Sequence, residues 1–224
     1  MSPIRAVILD ALGTLVRLEP PAPRLRAAIG RLSGIDVGGE AAARGFAAEI
    51  AYYLDHHLEG GDRVGLERLR DDCAAVLHDA LGVYDVERAV VRRAMIDALE
   101  FSAFPDVRPA LTELRARGLR LVVASNWDCS LSTWLDQAGV ADLLDGAASS
   151  AAAGAPKPEP AVFDVALRIA EVAPTEAVHV GDSPVADVQG ASGIGMRAIF
   201  LARGAERLNG VTTVRSLAQL PPLL

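Results

Sequence analysis

Positive charge is scarce in this sequence. Its 224 residues include 22 lysines and arginines against 29 aspartates and glutamates, and the formal net charge is −7. A chain with this balance has no broad basic surface to recruit nucleic acid or an anionic membrane. An anionic ligand would therefore have to be held by a local site.

Long apolar runs are missing as well. The sequence has no stretch of about 18 consecutive apolar residues, so we predict no transmembrane helix. The apolar run near the N-terminus, residues 6–9, is too short for the centre of a signal peptide, and no small-residue cleavage site follows it. We expect a soluble cytoplasmic protein with no membrane or nucleic-acid partner.

Cysteine is rare, with Cys73 and Cys129 as the two examples. Their spacing does not match a metal site and the context is not that of a secreted protein, so we expect both to be reduced and unpaired. A catalytic thiol would need a paired histidine, and none lies close to Cys129 in sequence. The sequence also contains no internal repeat.

Hydrophobic periodicity divides the chain into two patterns. A short apolar strand at residues 4–10 is followed by about 85 residues in which apolar side chains recur at helical spacing, as at Leu66, Leu69 and Cys73. These residues predict a small bundle of four helices, at 23–32, 40–58, 64–81 and 86–100.

Strands and helices alternate over the rest of the chain. Further strands are predicted at residues 119–124, 146–149, 177–180 and 197–200. Helices are predicted through Leu111 and Leu114, at 134–138 and 161–170, and from 185. Residues 210–224 fit either a last short strand or a packed helix.

This alternation is typical of βαβ units, which build a mainly parallel sheet with helices on both faces. We therefore predict an α/β fold, a three-layer Rossmann-like sheet core with an inserted α-helical bundle. The core domain would comprise residues 1–16 and 103–224. Residues 17–102 would form a helical cap inserted after the first strand.

Polar residues stand at four places near strand ends, where a core would not need them. Taken singly, each could be a turn residue, a helix N-cap or a solvated loop residue. Taken together they predict a site, because open α/β sheets bind ligands at the carboxyl edge of their strands. The candidates are Asp10 with Thr14, Ser125 with Asn126, Lys157, and Asp182 with Asp187.

Two of these places suit an anion. Ser125 and Asn126 follow the second strand of the sheet and offer a hydroxyl, an amide and backbone N–H groups at an expected helix start. Lys157 lies between Pro156 and Pro158, which restrict the backbone and hold one cation in place.

The three carboxylates suit a cation. Asp10, Asp182 and Asp187 would repel one another at one edge unless a positive group neutralised them. Mg²⁺ favours a few carboxylates together with water and substrate phosphate. A carboxylate nucleophile, Asp10, would then attack phosphorus, while Lys157, Mg²⁺ and the amides at Ser125 and Asn126 stabilise the transferring group.

The order of these motifs resembles that of the haloacid dehalogenase superfamily, in the branch with a helical cap inserted after the first motif. The motifs are DxxGTL from Asp10, SN at Ser125, KP at Lys157 and GDSxxxD from Asp182 to Asp187. The resemblance covers essentially the whole chain. It implies that Asp10 is the nucleophile, that Ser125 and Lys157 contact phosphate, and that Mg²⁺ is the cofactor. Its ligands would be Asp10, Asp182, the carbonyl of Leu12 and, directly or through water, Asp187.

One residue departs from the family pattern. Phosphatases of the superfamily carry a second aspartate two residues after the nucleophile, where this chain has Leu12. That aspartate protonates the leaving alkoxide, and a positioned acid or base is worth about 10²–10⁴-fold in rate. Our hypothesis is a Mg²⁺-dependent hydrolase of a small phosphate monoester in which Asp128 or water replaces the missing acid.

Two other functions remain open. The L-2-haloacid dehalogenases of the superfamily also lack the second aspartate, because a departing halide needs no proton, but they lack the acidic pair as well. Such an enzyme would need an arginine cradle, and Arg17, Arg24 and Arg44 are only loosely placed for one. A non-catalytic homologue that binds phosphate or a partner protein would not need the nucleophile.

The helical cap contributes few candidates. Tyr52, Tyr53, His56 and His57 could meet a substrate, although aromatic residues on an amphipathic helix are more typical of packing. His179, inside the predicted strand before Asp182, is expected to be a satisfied core residue. The expected partner is a small phosphorylated molecule, and the protein would be a monomer or a homodimer.

Overall fold

Eight strands and nine helices are present in the computed structural model, which describes residues 3–204 and 208–224. Residues 1–2 and 205–207, which belong to the expected core domain, lie outside the described residues. The strands are β1 (Ala6–Leu9), β2 (Val16–Leu18), β3 (Phe101–Ala103), β4 (Arg120–Ser125), β5 (Gly146–Ser149), β6 (Ala177–Gly181), β7 (Arg197–Leu201) and β8 (Thr212–Val214).

The helices differ widely in length. They are α1 (Pro21–Ser33), α2 (Gly39–His56), α3 (Arg63–Leu81), α4 (Arg88–Ala98), α5 (Val107–Ala116), α6 (Leu131–Gln137), α7 (Ser150–Ala153), α8 (Ala161–Ala170) and α9 (Gly190–Gly193). A π-helical turn, Pro184–Gln189, precedes α9. The chain divides into two compact units, one of residues up to Arg17 together with Ser102–Leu224, the other of Leu18–Phe101.

Six of the strands form a parallel sheet in the order β5-β4-β1-β6-β7-β8. The central strand β1 reads Ala-Val-Ile-Leu and is fully buried, as expected for a parallel strand covered on both faces. Because successive side chains alternate between faces, Ala6 and Ile8 point to the side on which α8 packs with Phe163. Helix α5 contacts β4. The predicted parallel α/β fold is confirmed.

The helical unit, residues 18–101, has an apolar core of its own. Its four helices pack around Leu25, Phe46, Leu69 and Leu77, each almost completely buried. Burying side chains of this size contributes about 1.5–3 kcal/mol each. Tyr52 and Tyr53 pack partly buried against this core, which agrees with a packing role.

Local sequence explains where the long helices begin and end. The Asp62 side chain accepts a hydrogen bond from the Gly65 backbone N–H at the start of α3, and Gly82 ends that helix in the left-handed conformation, with φ of 67°. Among the described residues, no helix combines the length and the apolar character needed to cross a membrane.

Two details of the sequence prediction change. Strands β2 and β3, which were not expected, pair with each other in a separate two-stranded sheet. They are only three residues long, and a hydrophobic pattern cannot be read over so short a span. Residues 210–224 contain strand β8, one of the two expected alternatives, and two three-residue 3₁₀ turns in place of the packed helix.

Candidate active site

Asp10 lies at the carboxyl end of the central strand. It directly follows β1, and the residue is 6% exposed. Its Oδ1 accepts two hydrogen bonds, from Ser125 Oγ at 2.9 Å and from Lys157 Nζ at 2.7 Å. Ser125 is the last residue of the neighbouring strand β4, so the parallel register of β1 and β4 brings the two side chains together.

Lys157 joins two of the carboxylates. Its Nζ donates to Asp10 Oδ1 and, over 2.6 Å, to Asp187 Oδ1, and its side chain is only 2% exposed. It is also the only lysine in the 224-residue sequence, in which all other basic residues apart from the histidines are arginines. An ammonium is a compact charge with three donors, so it can bind both carboxylates at once.

Asn126 holds the backbone at Lys157. The Asn126 side chain accepts from the Lys157 N–H at 2.7 Å and donates to the Lys157 carbonyl at 3.1 Å. The prediction that a helix starts at Ser125 and Asn126 is wrong, because α6 begins only at Leu131. The Asn126 side chain instead binds the backbone of Lys157, so it positions that residue.

Asp187 accepts three hydrogen bonds. Its Oδ1 contacts Lys157 Nζ and His179 Nε2, the latter at 2.8 Å, and its Oδ2 accepts from the Ser183 N–H at 2.8 Å. A Cβ at Gly181 would lie 2.2 Å from the Asp187 Cγ, so only glycine leaves room for this carboxylate at the end of β6.

His179 is fully buried and lies edge-on to the Phe163 ring. Because an ionised carboxylate can only accept, Nε2 carries the proton shared with Asp187. The expectation that His179 is fully satisfied is wrong, since Nδ1 has no hydrogen-bond partner among the described residues. The apolar surroundings of the strand interior supply no donor to that nitrogen.

Asp182 completes an acidic cluster. One carboxylate oxygen from each of Asp10, Asp182 and Asp187 lies within 4.8 Å of the others. Asp182 is the exposed member, and its carboxylate packs so closely on Gly13 that a Cβ there would lie 2.0 Å from Oδ2. Gly13 also has a φ of 82°, which favours glycine.

The charges in this cluster do not balance. Burial raises the pKa of Asp10, and Lys157 offsets this only in part while Asp187 adds to it. Partial burial and the neighbouring Asp10 and Asp187 charges raise the pKa of Asp182 to about 6. Three carboxyl groups share one ammonium, and the raised pKa values of Asp10 and Asp182 mean that a further cation would stabilise their ionised forms.

The other two buried charges favour their ionised forms. Burial alone would raise the pKa of Asp187, but Lys157 and the His179 hydrogen bond outweigh it and hold that pKa well below its usual range. Burial alone would lower the pKa of Lys157, yet the charges of Asp10 and Asp187 raise it above its usual value. Lys157 and Asp187 therefore form an ion pair at neutral pH.

The remaining candidates, Thr14, Leu12 and Asp128, differ in their exposure to solvent. Thr14 is completely buried, and its Oγ1 has no hydrogen-bond partner among the described residues. Leu12 is 45% exposed. Asp128 is buried, and its Oδ1 accepts from the Ser130 backbone N–H at 2.7 Å, as a turn residue does.

Sequence reasoning missed Arg203, whose guanidinium contacts the carbonyls of Gly13 and Thr14. Arg203 stands two residues after the end of β7, at the same sheet edge as the cluster. The rule that identified Asp10 and Asp182 from polar residues after a strand would have found it.

This chain is similar to known proteins in sequence and in fold. A model of the haloacid dehalogenase-like hydrolase family matches residues 4–195. The human haloacid dehalogenase-like hydrolase domain-containing protein 3 is 32% identical over 237 residues, covering 99% of this chain and 94% of that protein. The phosphoserine phosphatase of Thermus thermophilus is 34% identical over 129 residues, covering 57% of this chain and 52% of that protein.

A solved structure with a different named chemistry is also similar. The 2-haloacid dehalogenase from Pseudomonas syringae pv. Tomato superposes with a TM-score of 0.68 at 25% identity, and the match covers 98% of this chain and 97% of that one. The family model and the human relative both span most of the sequence. This chain therefore belongs to the haloacid dehalogenase-like hydrolase family.

Proposed function

We propose that this protein hydrolyses a small phosphate monoester in a Mg²⁺-dependent reaction with Asp10 as the nucleophile. The observation that carries the proposal is the convergence of Asp10, Asp182 and Asp187 within 4.8 Å, with a single ammonium, Lys157, bound to two of them. Three acidic side chains around one ammonium favour a further cation at the site, and a cation beside a lysine favours an anionic substrate.

The residues present fit a magnesium ion. Asp10, Asp182 and the Leu12 carbonyl would hold it, since Mg²⁺ prefers oxygen ligands. Asp187 already accepts three hydrogen bonds, so we expect it to act through a water molecule. When bound, the ion would offset the carboxylate charge and polarise a phosphate oxygen.

Asp10 would attack phosphorus with a carboxylate oxygen. The Asp10 Oδ–P bond forms while the bond from phosphorus to the leaving alcohol breaks, and a water molecule then attacks phosphorus and releases phosphate. Lys157 Nζ and Ser125 Oγ already bind Asp10 Oδ1, so both donors lie where charge on the transferring group would need them. Thr14, whose buried hydroxyl lacks a partner among the described residues, is a further candidate in this reaction.

The leaving alcohol must take up a proton, and Leu12 cannot supply one. We propose that Asp128 or water does so. In either case we expect faster turnover of substrates whose leaving group is a weak base, such as a phenol, because these need less help from an acid.

A haloacid dehalogenase activity is the second candidate. The observation in its favour is Leu12, since halide leaves without a proton, and the dehalogenase structure described above has the same fold. Two of the arginines considered for a halide cradle have acidic partners, Arg24 with Glu100 and Arg44 with Glu40. Without those arginines, the acidic cluster favours phosphate over a haloacid.

We propose that the helical unit acts as a cap that excludes water from the reaction. The substrate would then be a small molecule.

A non-catalytic homologue is the third possibility, and it would bind phosphate without turning it over.

A paired assay of the purified protein tests the proposal. One arm uses 4-nitrophenyl phosphate with Mg²⁺ or with EDTA, and the other uses 2-chloropropionate with halide detection. We expect phosphate release that EDTA abolishes, that Asp10→Asn abolishes, and that Asp128→Asn slows. Metal-independent halide release would establish the dehalogenase instead, and no turnover in either arm would favour the non-catalytic homologue.

A further inference from the structure

Arg203 binds the backbone of the loop that follows the candidate nucleophile. Residues 11–14, here called the nucleophile loop, connect Asp10 to the turn before β2. Arg203 Nε donates to the Gly13 carbonyl at 3.1 Å, and its Nη2 donates to the Thr14 carbonyl at 2.6 Å. Two sides of one planar guanidinium therefore hold two consecutive carbonyls.

The third side of the guanidinium is fixed as well. Nη1 lies 3.1 and 3.2 Å from the two oxygens of Asp106, and the guanidinium carbon lies 3.7 Å from the centroid of the Phe104 ring. Stacking and a charge-assisted hydrogen bond together leave Arg203 little rotational freedom. The Arg203 side chain is 22% exposed, so solvent weakens these contacts only in part.

Asp106 is itself anchored to the C-terminal segment. Its Oδ2 accepts from Ser216 Oγ at 2.7 Å and from the Leu217 N–H at 2.8 Å. Partial burial acts to raise the pKa of Asp106, but these hydrogen bonds and the charge of Arg203 outweigh it and keep the pKa below its usual value. Arg203 thus connects the nucleophile loop to an ionised, firmly held carboxylate.

Backbone hydrogen bonds also shape the nucleophile loop, since the Ala11 carbonyl accepts from the Leu15 and Val16 N–H groups at 2.8 and 2.9 Å. These bonds do not involve the Gly13 and Thr14 carbonyls, which Arg203 binds. Gly13 takes a left-handed φ of 82°, which the backbone adopts at little cost only at glycine, and the Asp182 carboxylate packs directly against it. A shift of the loop would move the Leu12 carbonyl and the Thr14 side chain. It would also move Gly13, on which the Asp182 carboxylate packs. Misplacement of reacting groups by about 1 Å can cost about 10²-fold in rate.

We propose that Arg203 is a positioning residue, which holds the nucleophile loop in its reactive conformation without touching the substrate. The proposal rests on the phosphatase function given above. It requires arginine rather than lysine, because a single ammonium cannot bind two consecutive carbonyls and a carboxylate while stacking on a ring.

The test compares Arg203→Met with Arg108→Met. Arg108 offers a matched control in the same unit, since it pairs with both oxygens of Asp142, at 2.8 and 3.0 Å, and with the Gly139 carbonyl. Two readouts are measured on the full chain. They are hydrogen–deuterium exchange of the peptide covering the nucleophile loop, and kcat and KM for 4-nitrophenyl phosphate with Mg²⁺.

We expect Arg203→Met to speed exchange in the nucleophile loop by about 10-fold or more, as for a locally opened segment. We expect kcat to fall by about 10–100-fold while KM changes by less than about 3-fold, because the loop serves the chemical step. Arg203→Lys should recover only part of both effects, and it replaces the methionine variant if that variant fails to fold. Arg108→Met should leave both readouts as in the unmodified protein.

Unchanged exchange in the nucleophile loop would overturn the proposal, and so would faster exchange with unchanged kcat. Equal effects in Arg108→Met would also overturn it, since they would show a general loss of stability. If the unmodified protein does not hydrolyse 4-nitrophenyl phosphate, the proposed function fails. Exchange then decides by itself whether Arg203 positions the loop.

Discussion

Carboxyl groups are buried in both units of the molecule. The two units differ in whether a neighbouring positive charge stabilises the ionised carboxylate. In the unit that contains the six-stranded sheet, here called the sheet unit, Asp10 and Asp187 share the Lys157 ammonium, at 2.7 and 2.6 Å. In the helical unit, Glu49 on α2 is 5% exposed, and burial raises its pKa to about 7, with a hydrogen bond from Cys73 opposing the rise only in part. Lys157 and Asp187 keep their charges by pairing with each other, whereas burial favours the neutral form of Glu49.

This difference distinguishes a candidate functional site from a carboxyl group that is simply buried in a core. A carboxyl that becomes neutral on burial needs neither a counter-charge nor a ligand. Three carboxyl groups near one ammonium can all be ionised only with a further cation or at a cost in free energy. The sheet unit accordingly carries the candidate chemistry.

The largest effect is expected from Lys157→Met, which removes the ammonium and keeps the length of the side chain. Breaking a buried ion pair costs about 3–5 kcal/mol, because the carboxylates left behind are uncompensated. We expect a loss of this size in the free energy of unfolding, measured by urea denaturation in EDTA at pH 7. Added Mg²⁺ should restore part of it. A loss below about 1 kcal/mol would show that Lys157 does not compensate Asp10 and Asp187.

Glu49→Gln should have the next largest effect, and it depends on pH. The folded protein holds the Glu49 proton up to a pKa of about 7, compared with an ordinary value of 4.5. The stability that this proton provides is therefore complete below pH 4.5 and is lost as the pH rises towards 7. A shift of this size corresponds to about 3 kcal/mol.

The variant should thus be more stable than the unmodified protein at pH 8 and lose that advantage at pH 4.5. Urea denaturation at both pH values measures this. Glu40→Gln is the control, since Glu40 lies on the same helix with its side chain 97% exposed. An equal effect at both pH values, or the same effect in the control, would contradict the account of Glu49.

A smaller effect is expected from Gly13→Ala compared with Gly118→Ala. Both glycines have a positive φ, 82° and 79°, but only at Gly13 would the new Cβ meet a neighbour, the Asp182 carboxylate at 2.0 Å. The difference between the two variants isolates the clash. We expect Gly13→Ala to lose about 1–3 kcal/mol more in the free energy of unfolding, as overpacking does. Equal losses would mean that Asp182 can move away freely.

The smallest effect is expected from Leu12→Asp. Leu12 is already exposed, so a carboxyl group there meets solvent and could serve as the missing acid. We expect kcat for an alkyl phosphate to rise by about 10-fold, less than the 10²–10⁴-fold typical of an acid in its native setting. Leu12→Asn has the same shape without the proton and should not raise kcat. A rise in both variants would rule out acid catalysis as the cause.

The sequence predicted the parts of the site that follow from local pattern. Asp10 and Asp182 stand where an apolar strand stops, and parallel strands bring such positions to one edge. The contact between Asn126 and the backbone of Lys157 was not predicted, because these hydrogen bonds join residues 31 positions apart. No local pattern contains such a contact.

Other features depend entirely on packing. Glu49 looks like any charged residue on an amphipathic helix, and only the packed bundle shows that it is buried. Arg203 looks like one more surface arginine until the chain brings Phe104 and Asp106 beside it. The single lysine was the one compositional signal that could have strengthened the prediction of Lys157.

That single lysine also permits the most direct test of the central claim, that the acidic cluster around Lys157 binds Mg²⁺. Protein labelled with ¹⁵N only at the lysine Nζ gives one side-chain signal, which comes from the site itself. We predict that Mg²⁺ shifts this signal until one ion is bound per chain, and that Asp182→Asn weakens the response at least about 10-fold, because it removes a proposed ligand. A signal unchanged by Mg²⁺ in the unmodified protein would contradict the account.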